Sequence, residues 1–321
     1  MRSLLILTFV CACFLGVFTQ RILKEETVES IKSKADWESY DWHENPFRDF
    51  SKEQIQALLG AHLTWDEHNI HLLLDEDDHD ILKDLPQEFD ARKQWPECVF
   101  PVRNQEHCGS CWAFSGASVL TDRFCIASQG GIKKVLSPQD MVSCDTTDYG
   151  CHGGLLDRAW TYLEKTGIVA DECFPYVSGD GKNVPHCPHG TCSDNSLKYV
   201  KYRAVSSSSR PLTCAAQIKE ELFKNGPVQT GFMVYEDFMH YKSGVYEHTH
   251  GQRLGGHAVK ILGWGVENGK EFWIAQNSWG PTWGENGFFR IKLGECMFDE
   301  NAYAGLPNIN DFTPKKFMFW E

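Results

Sequence analysis

The chain has 321 residues, 42% of them hydrophobic and 23% charged, enough to bury a sizeable core in about two domains. That composition excludes disordered, collagen-like and coiled-coil classes. A net charge of −13, from 31 basic and 44 acidic residues, argues against a generic nucleic-acid binder. The acidity is uneven: residues 21–84 carry 7 basic and 17 acidic side chains, while 85–321 carry a net −4. Such asymmetry marks a separable N-terminal segment.

Met1-Arg2 precedes an apolar run from Leu4 to Phe18. The run is too short to span a bilayer and follows a positive charge, so residues 1–19 read as a secretory signal peptide. No later stretch approaches ~18 uninterrupted apolar residues, and the mature protein is expected to be soluble. Its expected place is the secretory pathway, ending in a lysosome, a lysosome-like vacuole or the extracellular space. Of 13 cysteines, Cys11 and Cys13 lie in the signal. The odd remainder implies bridges plus one free thiol. None of it precedes Cys98, so a stapled domain is expected over 85–321, behind a segment over 20–84. No Asn-x-Ser/Thr site exists, leaving N-glycan-dependent sorting without an acceptor.

Residues 51–59 have helical apolar spacing, and Ser51 with Gln54 fits a capping box. Trp37, Trp42, Phe47 and Phe50 need a surface to bury against, because this segment is too small for its own core. Asp75 to Asp80 is a charge run, read as a solvated linker. From Leu85 the texture changes. Helices are predicted over 110–126, over 137–142 (opened by Ser-Pro), over 155–165, and over 213–224, stopped by Asn225-Gly-Pro227. Strands follow over 228–234, 257–263, 271–275 and 287–292. Helices first and strands later predict an α+β protein with two segregated subdomains.

The chemistry concentrates in Gln105-Glu-His-Cys108-Gly-Ser-Cys111-Trp112. Cys111 opens a predicted helix, whose free N–H groups and dipole favour a thiolate. By residue type, His257 can serve as its base and Asn277 can orient the ring without taking its proton. Trp279 can shield that pair, and the Gln105 amide can join the Cys111 N–H as an oxyanion hole. The alternative for Cys111 is a further disulfide; for His257, a structural role.

Cys108-Gly-Ser-Cys-Trp112, with His257 and Asn277 lying 146 and 166 residues beyond Cys111, resembles the signature of the papain-like cysteine proteases. Leu85 to Cys98, Cys151-His-Gly-Gly154, Gly226-Pro-Val228 and Gly255 to Gly265 are similar to the cathepsin B subgroup. The resemblance implies a papain-like fold with a helical left subdomain and a barrel-like right one. It implies peptide hydrolysis by Cys111, His257, Asn277 and Gln105, with no cofactor and no metal. Residues 20–84 become an inhibitory prosegment lying along the cleft, whose five histidines are expected to loosen it on acidification.

Gly153 and Gly154 are expected to line the substrate backbone. Leu155, Leu156, Gly231, Ala258 and Asn301 are expected to form an apolar S2 pocket with an uncharged floor, favouring P2 Leu, Val or Phe over Arg. The implied bridges are Cys98–Cys125, Cys108–Cys151, Cys144–Cys187 and Cys173–Cys192, with Cys214–Cys296 left by elimination. The interval Cys173 to Cys192 is too short for the occluding loop of cathepsin B proper, and only His186 and His189 stand there. An open primed side and mainly endopeptidase activity are therefore expected. Expected partners are peptide and protein substrates and cystatin-like inhibitors, with a monomer as the working state. Three competing readings stand beside this one: zinc on His186, Cys187, His189 and Cys192, a catalytically dead binding protein, and a dipeptidyl carboxypeptidase.

Overall fold

The computed structural model describes residues 22–63 and 82–312. The signal peptide, its cleavage point and the 75–80 charge run lie outside the described residues.

The N-terminal segment is laid over the folded body. Helix α1 (Glu25–Lys34) has Glu25 and Glu26 in its first turn and Lys32 and Lys34 in its last, complementing the backbone dipole at both ends. It was not anticipated, because only Val28 and Ile31 give it a buried apolar face. Strand β1 (Glu38–Ser39) pairs antiparallel with β5 (Tyr241–Ser243). Helix α2 (Lys52–Gln56) has the expected capping box: Gln54 N donates to Ser51 Oγ at 3.3 Å and Ser51 N to Gln54 Oε1 at 2.9 Å. The four large aromatic residues find their surface. Trp37 and Phe47 are buried, and Trp42 and Phe50 pack against the same core. Each fully buried side chain of this size contributes about 1.5–3 kcal/mol to docking.

The body has two cores. One surrounds helix α4 (Cys111–Ala127), with α5 (Pro138–Cys144) and α6 (Leu156–Lys165) against it. Helix α4 is buried on nearly every face, so its sequence is apolar almost all round rather than striped. The other core belongs to a sheet. Its strands are β3 (Arg210–Leu212), β10 (Ala302–Ala304), β4 (Val228–Tyr235), β7 (Arg253–Glu267), β8 (Lys270–Gln276), β9 (Phe288–Lys292) and β6 (Val245–Tyr246), in that order across the sheet. β2 (Phe89–Asp90) adds to β7, and short α3 (Ala91–Gln94) follows it. All pairs are antiparallel except β6 with β9. Helix α7 (Ala215–Asn225) ends at Gly226, before Pro227, as the Asn-Gly-Pro stop predicts.

Strand β7 begins before His257, because Arg253 to Gly256 pair with Tyr235 to Met233 on β4. His257 therefore lies within the strand, opposite Phe232, rather than at its mouth. A buried ion pair joins the two cores: Lys260 of β7 meets Asp122 of α4, and both side chains are almost wholly buried. Burial pushes the Asp122 carboxyl up to about 6 and the Lys260 ammonium down, while each charge opposes the other's shift.

Four disulfides are present: Cys98–Cys125, Cys108–Cys151, Cys144–Cys187 and Cys173–Cys192. The fifth expected pair, Cys214–Cys296, is not formed. Cys214 is the N-cap of α7. Cys296 sits in a left-handed turn at φ 52°, its sulfur 3.6 Å from Glu295 Oε1 and within the field of Tyr246 and Asp237. The two thiols are held by different elements, and an even count cannot supply the geometry a bridge needs. Cys187 and Cys192 are both bridged, which removes them as zinc ligands.

Candidate active site

Cys111 is the first residue of α4, where the chain turns from the Cys108-Gly-Ser110 loop tied down by the bridge to Cys151. Its side chain is fully buried, beneath the N-terminal segment: Gly60 N donates to Cys111 Sγ at 3.2 Å. Burial pushes the thiol up to about 11, against the opposing pull of backbone N–H groups at Ala258, Gly60 and Trp112. The helix N-terminus alone was expected to favour the thiolate. With the N-terminal segment in place, desolvation wins.

His257 donates from Nε2 to Asn277 Oδ1 at 2.7 Å. That bond leaves Nδ1 as the lone-pair nitrogen, buried without a hydrogen-bond partner among the described residues. Asn277 lies just past β8 and its Oδ1 also accepts from Ser278 N at 2.7 Å, which fixes the amide's orientation. The Trp279 ring covers the pair, 4.6 Å from the imidazole centroid at an interplanar angle of 31°. Burial holds His257 down at about 4, although the Asn277 bond and the nearby Leu58 carbonyl favour the charged ring. In the covered site burial thus favours the neutral form of both the Cys111 thiol and the His257 imidazole.

Gln105 is fully buried and aims its amide into the cleft. Its Nε2 donates to Leu58 O at 3.2 Å and to Cys108 O at 2.9 Å. Ser278 Oγ donates to Gln105 Oε1 at 2.7 Å, so the amide nitrogen, not the oxygen, faces Leu58. Ser278 was not singled out from the sequence, although it stands beside Asn277. Its signal was its place in the same turn.

The segment 58–63 threads the cleft. Gly154 N donates to Gly60 O at 2.9 Å and His62 N donates to Gly154 O at 2.9 Å, a parallel bridge, while Ala61 N donates to Gly256 O at 3.1 Å. A Cβ on Gly154 would stand 2.6 Å from the Trp112 ring, so the backbone comes this close only as glycine. Gly153 turns under His62 at φ 104°. Leu63 enters an apolar recess with Leu156, Ala258 and Tyr303, and a Cβ on Gly231 would stand 2.5 Å from Leu63 Cδ2. Asn301 joins the recess through its backbone, accepting from Gly231 N at 3.1 Å. Leu155 serves through its N–H, which Asp148 Oδ1 accepts at 2.9 Å. Tyr303 was missed, although strand alternation places it on the same side as Asn301. At the other end, Phe47 packs edge-on against Trp279 and Phe50 against His107, centroids 5.4 and 5.5 Å apart.

A nucleophile at a helix start, an imidazole held by an amide, and an amide donor over the reacting position now stand in one cleft. The family model described as papain family cysteine protease matches residues 85–306. The chain belongs to that family. The protease is 40% identical to "Cathepsin B-like cysteine proteinase 4" of Caenorhabditis elegans, over 72% of this chain and 78% of that one. It is 45% identical to "Cathepsin B-like CP2" of Giardia intestinalis, over 69% and 74%. Among solved structures it is similar to "proCathepsin B S9 from Trypanosoma congolense", with a TM-score of 0.78, 32% identity, and coverage of 90% of this chain and 100% of that chain. The protease is thus cathepsin B-like and made as a zymogen, its N-terminal segment acting as an intramolecular inhibitor. No helix among the described residues is long and apolar enough to cross a membrane.

Proposed function

We propose that the processed protease is mainly an endopeptidase with an apolar S2 pocket, working through Cys111, His257, Asn277 and Gln105. One observation carries the assignment. A peptide carbonyl, that of Leu58, sits on the Gln105 amide while the same strand passes over Cys111 Sγ. A substrate carbonyl in that place meets the nucleophile and the oxyanion donors together. Once the prosegment leaves and water enters, the desolvation that keeps both groups neutral is relieved. Proton transfer from Cys111 to His257 Nδ1 then gives the thiolate. The thiolate adds to the scissile carbonyl carbon, and oxyanion charge collects on Gln105 Nε2–H and the Cys111 N–H. The imidazolium protonates the departing amine, the C–N bond breaks, and a thioester remains. Water, deprotonated by His257, hydrolyses it.

The prosegment is not a substrate because of its chain direction. Residues 61–63, which follow the Leu58 carbonyl, occupy the recess where a substrate places residues that precede its scissile carbonyl. Leu63 in contact with Leu156 and Ala258 supports P2 Leu, Val or Phe over Arg. The 187–190 part of the 173–192 loop supports an open primed side. Cys187 ties it back to Cys144, and His189 lines a surface cavity with Cys144, Asp145 and Lys165, rather than the cleft. Residues 20–84 are proposed as the removed segment, and a lysosome-like or extracellular compartment as the place of action. The working form is proposed to be a monomer, open to cystatin-like inhibitors.

Peptides with blocked and free C-termini, each with P2 Leu or P2 Arg, test the reading at acid pH. Cleavage of blocked P2-Leu peptides, abolished by a thiol-directed epoxide, is expected. Release of dipeptides from free C-termini alone would overturn the endopeptidase assignment in favour of a carboxypeptidase.

A further inference from the structure

Glu106 directly follows the oxyanion donor Gln105. It is exposed and holds φ 53°, a left-handed conformation that costs a non-glycine residue of order 1 kcal/mol or more. Its N–H donates to Asn104 Oδ1 at 3.0 Å, which holds the turn, while its carboxylate makes no hydrogen bond or ion pair among the described residues. Its side chain lies along the 178–181 turn, so close that a Cβ on Gly179 would stand 2.1 Å from Glu106 Oε2. The turn is fixed to the same wall, since His107 N donates to Gly179 O at 2.8 Å. Neighbouring charges do not neutralise the carboxylate. Arg103 is committed to Asp171 at 2.8 Å. Asp180, the other acid on the turn, is occupied by the Lys182 and Asn183 amides at 2.9 and 2.8 Å.

This wall already carries a peptide. Phe50 of the prosegment packs on His107, and Phe47 on Trp279. Along the chain these residues lie on the side of the Leu58 carbonyl away from Gly154, which is the primed side of the cleft.

We propose that Glu106 is a specificity-determining residue of the primed side, selecting substrates with Lys or Arg in the first two primed positions and disfavouring acidic residues and free C-terminal carboxylates there. The inference rests on the peptidase reading. The turn, fixed by the Glu106 N–H on Asn104 Oδ1 and the His107 N–H on Gly179 O, holds an unneutralised carboxylate beside the path of the leaving peptide. A cationic side chain on that path gains an ion pair, and an anion meets repulsion.

The test uses the processed enzyme and internally quenched peptides sharing one unprimed half with P2 Leu. Lys, Ala or Glu stands at the first or the second primed position. The expected kcat/KM for Lys exceeds that for Glu by about fivefold or more at one of the two positions. Glu106→Gln brings the ratio towards one, and Glu106→Lys inverts it. A ratio near one in the parent enzyme, or a ratio unchanged in Glu106→Gln, overturns the inference. Glu106→Gly, which relieves the strained backbone, should fold and lose the preference as Glu106→Gln does; a retained preference also overturns it. Failure of the parent enzyme to cleave any of the peptides would overturn the peptidase reading itself, an outcome distinct from uniform cleavage of all of them.

Discussion

Ser278 Oγ donates to Gln105 Oε1 at 2.7 Å, and this bond, together with the one from Gln105 Nε2 to Cys108 O at 2.9 Å, fixes which end of the Gln105 amide meets an incoming carbonyl. Without it the Cys108 bond alone holds the amide nitrogen in place. Ser278→Ala is expected to lower kcat by about 3- to 10-fold, the worth of one neutral hydrogen bond. Gln105→Ala removes the donor and is expected to cost about 100- to 1,000-fold in kcat. Steady-state kinetics on one blocked peptide separates the two. A Ser278→Ala loss seen in KM alone would mean that the serine supports binding and not the oxyanion position.

Leu63 seats the prosegment in the apolar recess of Leu156 and Ala258, the proposed S2 pocket. Leu63→Ala should weaken inhibition by a prosegment peptide added in trans by about 2 kcal/mol, roughly 30-fold in Ki. Leu63→Arg should weaken it more, because the recess offers the guanidinium no carboxylate. Equal Ki values for the Leu and Arg peptides would contradict an apolar S2.

Acid release of the prosegment is predicted to have a specific seat at His240. Asn45 Nδ2 donates to His240 Nδ1 at 2.8 Å and to Met239 O at 3.1 Å, while Asn45 Oδ1 accepts from Phe47 N at 2.7 Å. The amide cannot flip without losing two bonds, so His240 Nδ1 must remain an acceptor. Burial holds His240 down at about 4, from an ordinary 6.5. Asn45 and Trp42 of the segment contribute to that burial, so the docked form is predicted to bind fewer protons than the uncovered form between these values. Its contribution to docking is complete above about pH 6.5 and is lost as pH falls towards 4. Prosegment affinity should fall about 10- to 100-fold between pH 7 and pH 4.5, and His240→Phe should flatten that dependence. This places the predicted sensitive group on the protease, beneath the segment. Equal affinities at the two pH values would refute it.

The Lys260–Asp122 pair gives a stability prediction. Lys260→Met leaves the Asp122 carboxylate buried with Phe100 N as its remaining donor, at 3.2 Å. Chemical denaturation of the zymogen should show a loss of about 3–5 kcal/mol. Replacing both residues with apolar ones of similar volume should recover most of it, since the uncompensated charge is then gone.

The cleft's principal side chains were legible because each stands in its own short motif. Cys111 opens a helix, His257 follows two glycines on an apolar strand, and Asn277 ends the next strand. What lay further apart in the chain was less legible. The protonation state of Cys111 depends on Gly60, 51 residues upstream, and no local pattern around Cys111 announces that cover. Helix α1 escaped notice because its stability comes from docking two apolar residues, not from a full stripe. Tyr303 and Ser278 act by direction, one across a strand and one around a turn, and residue type alone does not give direction. The Cys214–Cys296 pairing was inferred from parity, and parity carries no distances.

The central claim is that Cys111 is the nucleophile and that the prosegment silences it by burial. Cys111 is one of several described cysteines, with Cys214 and Cys296 among the others, so one labelling experiment that locates the modified residue discriminates among them. A thiol-directed epoxide would be reacted with the intact chain and with the processed enzyme at pH 6, and the label located by mass spectrometry. The account predicts rapid, stoichiometric labelling of Cys111 with loss of peptidase activity in the processed enzyme, and labelling slower by orders of magnitude in the intact chain. Equal labelling of Cys111 in both forms, or loss of activity with the label on Cys214 or Cys296, would contradict it.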